Sequence, residues 1–250
     1  MGPAPDRSRV PPHERSRALA GFERGAGHRS PSPRATAFAG LGAAAVLAGH
    51  PDHGGARSLL ADAADDVGTS RCEPTLLRNA WAWPEPRLRY ANAVVPEVQL
   101  AAGSLLGRPE LVQRGLDLLG WLLAVQTQDR HLSVVAVRGL GPGEVGPAFD
   151  QQPIEVAALA DACARAHALT GDHRWSSAVR LCVAWFLGDN DSGTPMLDDD
   201  GGGYDGLERD GRNDNRGAES TLALLSVLQH GTRLPGPAPR PGRTRRGVDA

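Results

Sequence analysis

Apolar residues recur along this chain in two rhythms, and both are helical. In the stretch 173–187, Trp175, Ala178, Val179, Cys182, Val183 and Phe186 fall at i, i+3, i+4, i+7, i+8 and i+11, with Arg174, Ser177 and Arg180 off that face. Such a stripe predicts a helix with one buried and one solvated side. Residues 109–126 repeat it through Leu111, Gly115, Leu118, Leu119 and Leu122. In the second rhythm, Ala93-Val94-Val95 runs into Val98, Leu100, Ala101 and Ala102 and leaves almost no polar face. A helix apolar all round is covered on several sides. Helices are expected at about 34–49, 54–67, 91–106, 109–126, 153–169, 173–187 and 217–230. The odd-numbered ones are of the covered kind, so inner helices alternate with outer ones.

The connections alternate too. Inner-to-outer turns are short and alike: Gly49-His-Pro-Asp52, Gly107-Arg-Pro-Glu110 and Gly171-Asp-His-Arg174. Each puts a glycine where a helix is expected to stop in the left-handed conformation before the next begins. The glycines lie 58 and 64 residues apart, a repeat of helical hairpins. Outer-to-inner connections, 68–90, 127–152 and 188–216, are long, and long loops inside a compact domain are usually functional. All three are expected at one end of the stack, because every inner helix runs the same way. This pattern is that of an all-α, partial (α/α)6 toroid with its site at the long-loop end. A closed ring needs about six hairpins, and about three and a half are present. An exposed apolar edge, and with it self-association, is expected.

Composition adjusts the edges of this picture. Residues 1–31 mix Pro, Gly, Arg and Ser and are expected to form a disordered tail, as is the Pro- and Arg-rich stretch 233–250. One toroid domain is left at 32–232. All basic residues are Arg and the formal charge is −2, which gives no footprint for nucleic acid. The apolar run Ala35–Gly49 is too short to span a membrane, so a cytoplasmic protein is expected. Cys72, Cys163 and Cys182 lack metal or disulfide spacing and read as small buried hydrophobes. No phosphate loop, nucleophile elbow, HExxH or dinucleotide fingerprint occurs, so neither cofactor nor metal is expected.

Candidate chemistry sits where the long loops enter the inner helices. The first loop ends in Trp81-Ala-Trp83-Pro84 and continues through Arg89 and Asn92. Indole rings are platforms for sugar C–H faces, or else plugs of the core; Arg89 and Asn92 suit hydroxyls or a carboxylate, or a helix cap. In the second loop, Gln152, Pro153 and Glu155 fit the cap, first and third positions of a capping box. Asp150 and Gln151 precede the cap and are expected to face a cavity, with Asp150 a potential acid or base. The third loop offers Tyr204, Asp205, Asn213, Asn215 and Glu219. Asn215 or Asp214 is expected to cap the last helix, and Arg216 to partner Glu219. The run Asp198–Asp200 does not keep the register of a calcium loop and reads as solvated.

Taken together, Phe149-Asp-Gln-Gln-Pro-Ile-Glu155, Trp185-Phe-Leu-Gly188 with Asn190-Asp191, Asp205-Gly-Leu207 and Asn215-Arg-Gly-Ala-Glu-Ser-Thr-Leu222 resemble the C-terminal half of a bacterial domain. That domain belongs to the six-hairpin glycosidase-like superfamily and is often found as, or fused to, a family 4-type glycosyltransferase. The resemblance covers roughly residues 32–230. It implies an (α/α) toroid and a carbohydrate ligand. The candidate catalytic carboxylates are then Asp150, Glu155 and Glu219, with Trp81, Trp83, Arg89, Asn92, Gln151, Gln152, Tyr204, Asp205, Asn213 and Asn215 placing sugar hydroxyls. The further helical half of such domains, with its Tyr-Cys-Thr-Asp-Asp-Asn-like segment, has no counterpart in this sequence. A missing N-terminal half or a glycosyltransferase is therefore the expected partner, and an inactive fragment or accessory domain is the competing expectation.

Overall fold

The computed structural model describes residues 11–69 and 81–234. Among these the protein is all-α, with eight helices and only two minimal hairpins. The helices are α1 (Pro12–Gly25), α2 (Pro33–Gly49), α3 (Gly54–Thr69), α4 (Val94–Leu106), α5 (Pro109–Val125), α6 (Pro153–Thr170), α7 (His173–Phe186) and α8 (Ala218–Arg233). Strands β1 (Thr127–Gln128) and β2 (His131–Leu132) pair in the second long loop, and β3 (Leu207–Glu208) and β4 (Gly211–Arg212) in the third.

Each of the seven expected helices is present. They form two rows: α2 packs on α4, α4 on α6 and α6 on α8, while α3, α5 and α7 each lie against the inner helices that flank them. Burial follows the two rhythms from α4 to α7 but not at the ends of the row, where α2 and α8, expected to be covered all round, each bury a single stripe because they have an inner neighbour on one side only. Every residue of α4 from Val94 to Gly103 is buried, whereas α5 buries only the stripe Leu111, Gly115, Leu118, Leu119 and Leu122. The outer helix α7 likewise buries Trp175, Ala178, Val179 and Cys182 and turns Arg174 and Arg180 outward. Cys163 and Cys182 are buried free thiols, as expected for small hydrophobes; Cys72 lies outside the described residues.

Two of the three glycine stops behave as their sequence implies. Gly107 and Gly171 close α4 and α6 with φ of 71° and 68°, a conformation that costs a side-chain-bearing residue its Cβ clearance. Gly49 does not: it is the last helical residue of α2, and His50 takes the cap at φ −137°. Asp172 then starts α7 by accepting the Arg174 N–H (2.8 Å).

The N-terminal reading needs a correction. Residues 12–25, expected to lie in a disordered tail, form α1, which begins on Pro12 at the first helical position. Its apolar content is low, but it docks on the α2–α3 hairpin. Phe22 meets His53 edge-on at 5.6 Å, Ala26 is buried, and Arg29 pairs with Asp62 (2.5 Å). Residues 1–10 and 235–250 lie outside the described residues. No described helix is long and apolar enough to cross a membrane.

Candidate functional site

The three long connections meet at one end of the inner row. Leu88 and Leu140 exchange both backbone hydrogen bonds (2.8 and 3.1 Å), joining the first loop to the second. Gln151 and Leu207 do the same (3.0 and 2.9 Å), joining the second to the third. These bridges bring the N-termini of α4, α6 and α8 together, as the alternation of loop lengths predicts.

Asn92 is the hub. It is buried, its Oδ1 accepts the Arg89 N–H (2.8 Å) and the Arg34 guanidinium (3.0 Å), and its Nδ2 donates to the Arg89 carbonyl. Arg34, from the first turn of α2, also donates to the Tyr90 carbonyl (2.5 Å) and pairs with Glu85. From the facing helix, Glu155 Oε2 accepts the Asn92 backbone N–H (3.2 Å) and its side-chain amide (3.0 Å). The capping box expected of Glu155 is not formed: Gln152 is the N-cap of α6 but makes no side-chain cap bond. The carboxylate reaches across to α4 instead, because the chain enters α6 against that helix end.

Burial pushes the Glu155 carboxyl up to about 7, against the Asn92 hydrogen bonds and the more distant Arg34 charge that favour ionisation. Its partners in direct contact are neutral amides. Beside it lies a cavity of about 460 Å³ walled by Arg87, Arg89, Tyr90, Val135–Arg138, Gln152 and Glu155 itself. The Tyr90 hydroxyl donates to Glu219 Oε2 (3.1 Å), bringing the first turn of α8 to the same place. Burial, and then the Glu219 charge, raise the Tyr90 pKa. Glu155, Arg89 and Gln152 thus wall one cavity, with the buried Asn92 behind Glu155 and Glu219 held to the wall residue Tyr90. Asp150 stands at the cavity edge: its carbonyl accepts the N–H of the cavity residue Val137 (2.9 Å), and its exposed carboxylate has no hydrogen bond among the described residues.

Other candidates serve the scaffold. Trp83 is fully buried, stacked on Trp121 at 6.1 Å, and its N–H donates to Glu85. Trp81 meets Trp121 edge-on at 5.1 Å and donates to the Glu85 carbonyl. Trp83 plugs the end of the core, the alternative that aromatic packing favours, while Trp81 is half-buried and walls a small cavity with Trp121. Gln151 is buried rather than facing a cavity: it donates to Asp191 Oδ2 (2.5 Å) and the Ala148 carbonyl (3.1 Å) and accepts from Trp185 (3.3 Å). His131 completes this wiring by meeting Asp191 Oδ1 at 2.9 Å.

In the third loop the cap of α8 comes from neither Asn215 nor Asp214. Asp205 Oδ1 accepts the Gly217 N–H (2.7 Å) and the Ser220 hydroxyl (2.6 Å), a cap reached through the fold. Asn215 contributes only its carbonyl, to the Asp205 N–H. Arg216 pairs with Asp198 rather than Glu219. Tyr204 lies beneath the Arg212 guanidinium at 3.8 Å. Asn213 is packed against Gly206, and its Oδ1 is buried without a partner. Asp198 also accepts the Asp200 and Gly202 N–H groups, and no metal-holding group of His, Cys, Asp or Glu occurs among the described residues.

Two features escaped the sequence reading. Tyr90 is one; its signal was an aromatic residue between Arg89 and Asn92 at a loop-to-helix junction. The other is Glu97 in the first turn of α4, a carboxylate inside a stretch otherwise apolar all round. It accepts from Arg165 Nε (3.2 Å) and Nη2 (3.1 Å), and burial pushes it, too, to about 7. It opens on a separate cavity of about 560 Å³ with Asp161, Arg165, His167, His230 and Arg233. No known family profile matches this chain, and no curated protein matches its sequence.

Proposed function

We propose that the long-loop end of the α4–α6–α8 row is a carbohydrate site in one arc of an (α/α) toroid, and that the protein acts on a glycan in the cytoplasm by acid/base hydrolysis. The observation that carries this reading is Glu155: a carboxyl raised to about 7, walling an open cavity and touched by neutral donors. A carboxyl that keeps its proton near neutrality can give it to a leaving oxygen. In the proposed step Glu155 protonates the glycosidic oxygen as the C–O bond breaks. Water adds its oxygen to the anomeric carbon, and its proton passes to the second carboxylate. Glu219, ordered by Tyr90, takes that second role, with Asp150 at the edge of the mouth as the other candidate. Arg89 and Gln152 line the cavity where hydroxyls would lie.

The reading is tested by screening the chain on nitrophenyl glycosides and on oligosaccharides by saturation-transfer NMR. Turnover that Glu155→Gln abolishes while saccharide binding and melting persist is the expected result. No turnover and no binding across the panel, or turnover unchanged in Glu155→Gln, overturns it.

A second reading, an accessory domain docked on a glycosyltransferase or on a second copy, is favoured by α8. Leu222 and Leu225 are 66% and 45% exposed there, one turn apart. Light scattering tests it: association that Leu222→Asp and Leu225→Asp abolish supports docking, and a monomer with unchanged solubility in both variants removes it.

A further inference from the structure

The cavity beside Glu155 is walled by Arg87, Arg89 and Arg138 as well as by the carboxyl. Arg87 is satisfied, since Glu144 holds it through two hydrogen bonds of 2.7 and 2.9 Å. Arg89 and Arg138 are not. Both are exposed, and neither guanidinium makes a hydrogen bond or ion pair among the described residues. The acids nearby balance them only in part: Glu144 is held by Arg87 while also feeling the Arg138 charge, Glu219 is held at the Tyr90 hydroxyl, and the exposed Asp150 carboxylate at the edge makes no ion pair with either guanidinium.

The helix geometry has the same sign. Gln152 at the cavity wall is the N-cap of the 18-residue helix α6 and leaves its first turn without a side-chain cap, so the partial positive charge of the helix start faces this end. Two cations and a helix N-terminus form a poor place for a neutral sugar, which would desolvate the guanidiniums and give them no anion. The buried acid fits an anionic ligand as well. A carboxyl that holds its proton near neutrality does not repel a neighbouring anion, as an ionised one would.

We infer that the ligand of this site is an anionic saccharide whose carboxylate or phosphate is gripped by Arg89 and Arg138, with the bond to be cleaved lying toward Glu155. This rests on the carbohydrate reading above and adds the substrate class to it. A planar guanidinium matches either anion with two parallel hydrogen bonds, so the shared chemistry is the charged oxygen group, carried by a uronate or by a sugar phosphate.

The test is calorimetric titration of the full chain at low salt with galacturonate and glucuronate oligosaccharides, their methyl esters, and a hexose 6-phosphate beside the free hexose. The expected result is binding of an acid or a phosphate at least about tenfold tighter than its neutral counterpart. Arg89→Gln and Arg138→Gln should each weaken the charged ligand by about tenfold and its neutral counterpart by less than about threefold. The arm that binds, uronate or phosphate, identifies the source of the anion. Acid and ester binding alike, or both arginine variants binding like the parent, overturns the anionic class and leaves the carbohydrate reading standing. Absence of binding by every saccharide overturns both.

Discussion

Glu97 and Glu155 are near-twins in position and opposites in company. Each sits in the first turn of an inner helix, each is buried, and burial lifts each carboxyl to about 7. Glu97 is gripped by a guanidinium, through two nitrogens of Arg165. Glu155 is gripped by the backbone and side-chain N–H groups of Asn92, which carry no charge. A charged partner makes ionisation part of the fold, because removing either member strands the other. Neutral donors stabilise a carboxylate less and leave it free to hold a proton or give it up. The difference is the reason the proposed chemistry is placed on Glu155 and not on Glu97.

The largest expected effect separates the pair by activity. Glu155→Gln should lower glycan turnover by about 10²–10⁴-fold, the worth of a positioned proton donor, whereas Glu97→Gln should leave the rate within about twofold. Equal losses in steady-state assays of the two variants would erase the distinction.

Stability separates them in the other direction. Arg165→Ala strands a buried carboxyl and should cost about 3 kcal/mol in denaturant unfolding at pH 8, the low end for a broken buried pair because Arg165 is itself 32% exposed. At pH 6 the loss should shrink, since the orphaned Glu97 takes up a proton. A penalty independent of pH would show that the pair is not held by charge.

The two carboxyls should agree in how they respond to pH. Folded, each titrates near 7; unfolded, each titrates in the ordinary carboxylate range near 4.5. Between those values the folded state binds more protons, so stability falls as pH rises, by up to about 1.4 kcal/mol per pH unit for each group. The protein should therefore melt higher at pH 5.5 than at 7.5, and Glu97→Gln with Glu155→Gln should flatten the slope. Glu144, pulled down to about 2 by Arg87, acts below this window and does not mask it. A melting temperature that rises from pH 5.5 to 7.5 would contradict the burial argument for both.

The smallest effect probes the rim. Tyr90→Phe removes a partly exposed hydrogen bond to Glu219 and should change stability by less than about 1 kcal/mol, while lowering turnover more than that loss explains. If turnover is unchanged, Tyr90 does not order the second carboxyl.

The same contrast shows which parts of the site were legible. Glu155 and Glu219 stood out because each is a carboxylate entering an apolar helix, and that pattern is local. Their partners were not legible. Arg216 is three residues from Glu219, yet it pairs with Asp198, and Tyr90, 129 residues away, takes its place. Asp205 looked like a loop carboxylate free for sugar, but the hairpin of β3 and β4 folds it back onto the start of α8. Trp81 and Trp83 read equally as platforms or as plugs of the core, and it is Trp121 on α5 that meets both rings. In each case the deciding neighbour is distant in sequence, where periodicity carries no information.

What the sequence by itself determined is what depends on neighbours within a few residues. The period of the apolar positions set seven helices and the buried stripes of α5 and α7, and Gly107 and Gly171 set two helix ends, whereas α2 and α8 were left with one open side that the period did not foretell. The α1 helix was lost to that reading because its fourteen residues bury none of their number, and only docking of Phe22 and Ala26 gives them a place. The tertiary structure alone decided the electrostatics. A carboxyl's pKa depends on the water it loses and the charges it meets, and both are fixed when α4, α6 and α8 bring their N-termini together. Two glutamates in the first turns of inner helices thereby met different partners, a guanidinium for Glu97 and a neutral amide for Glu155.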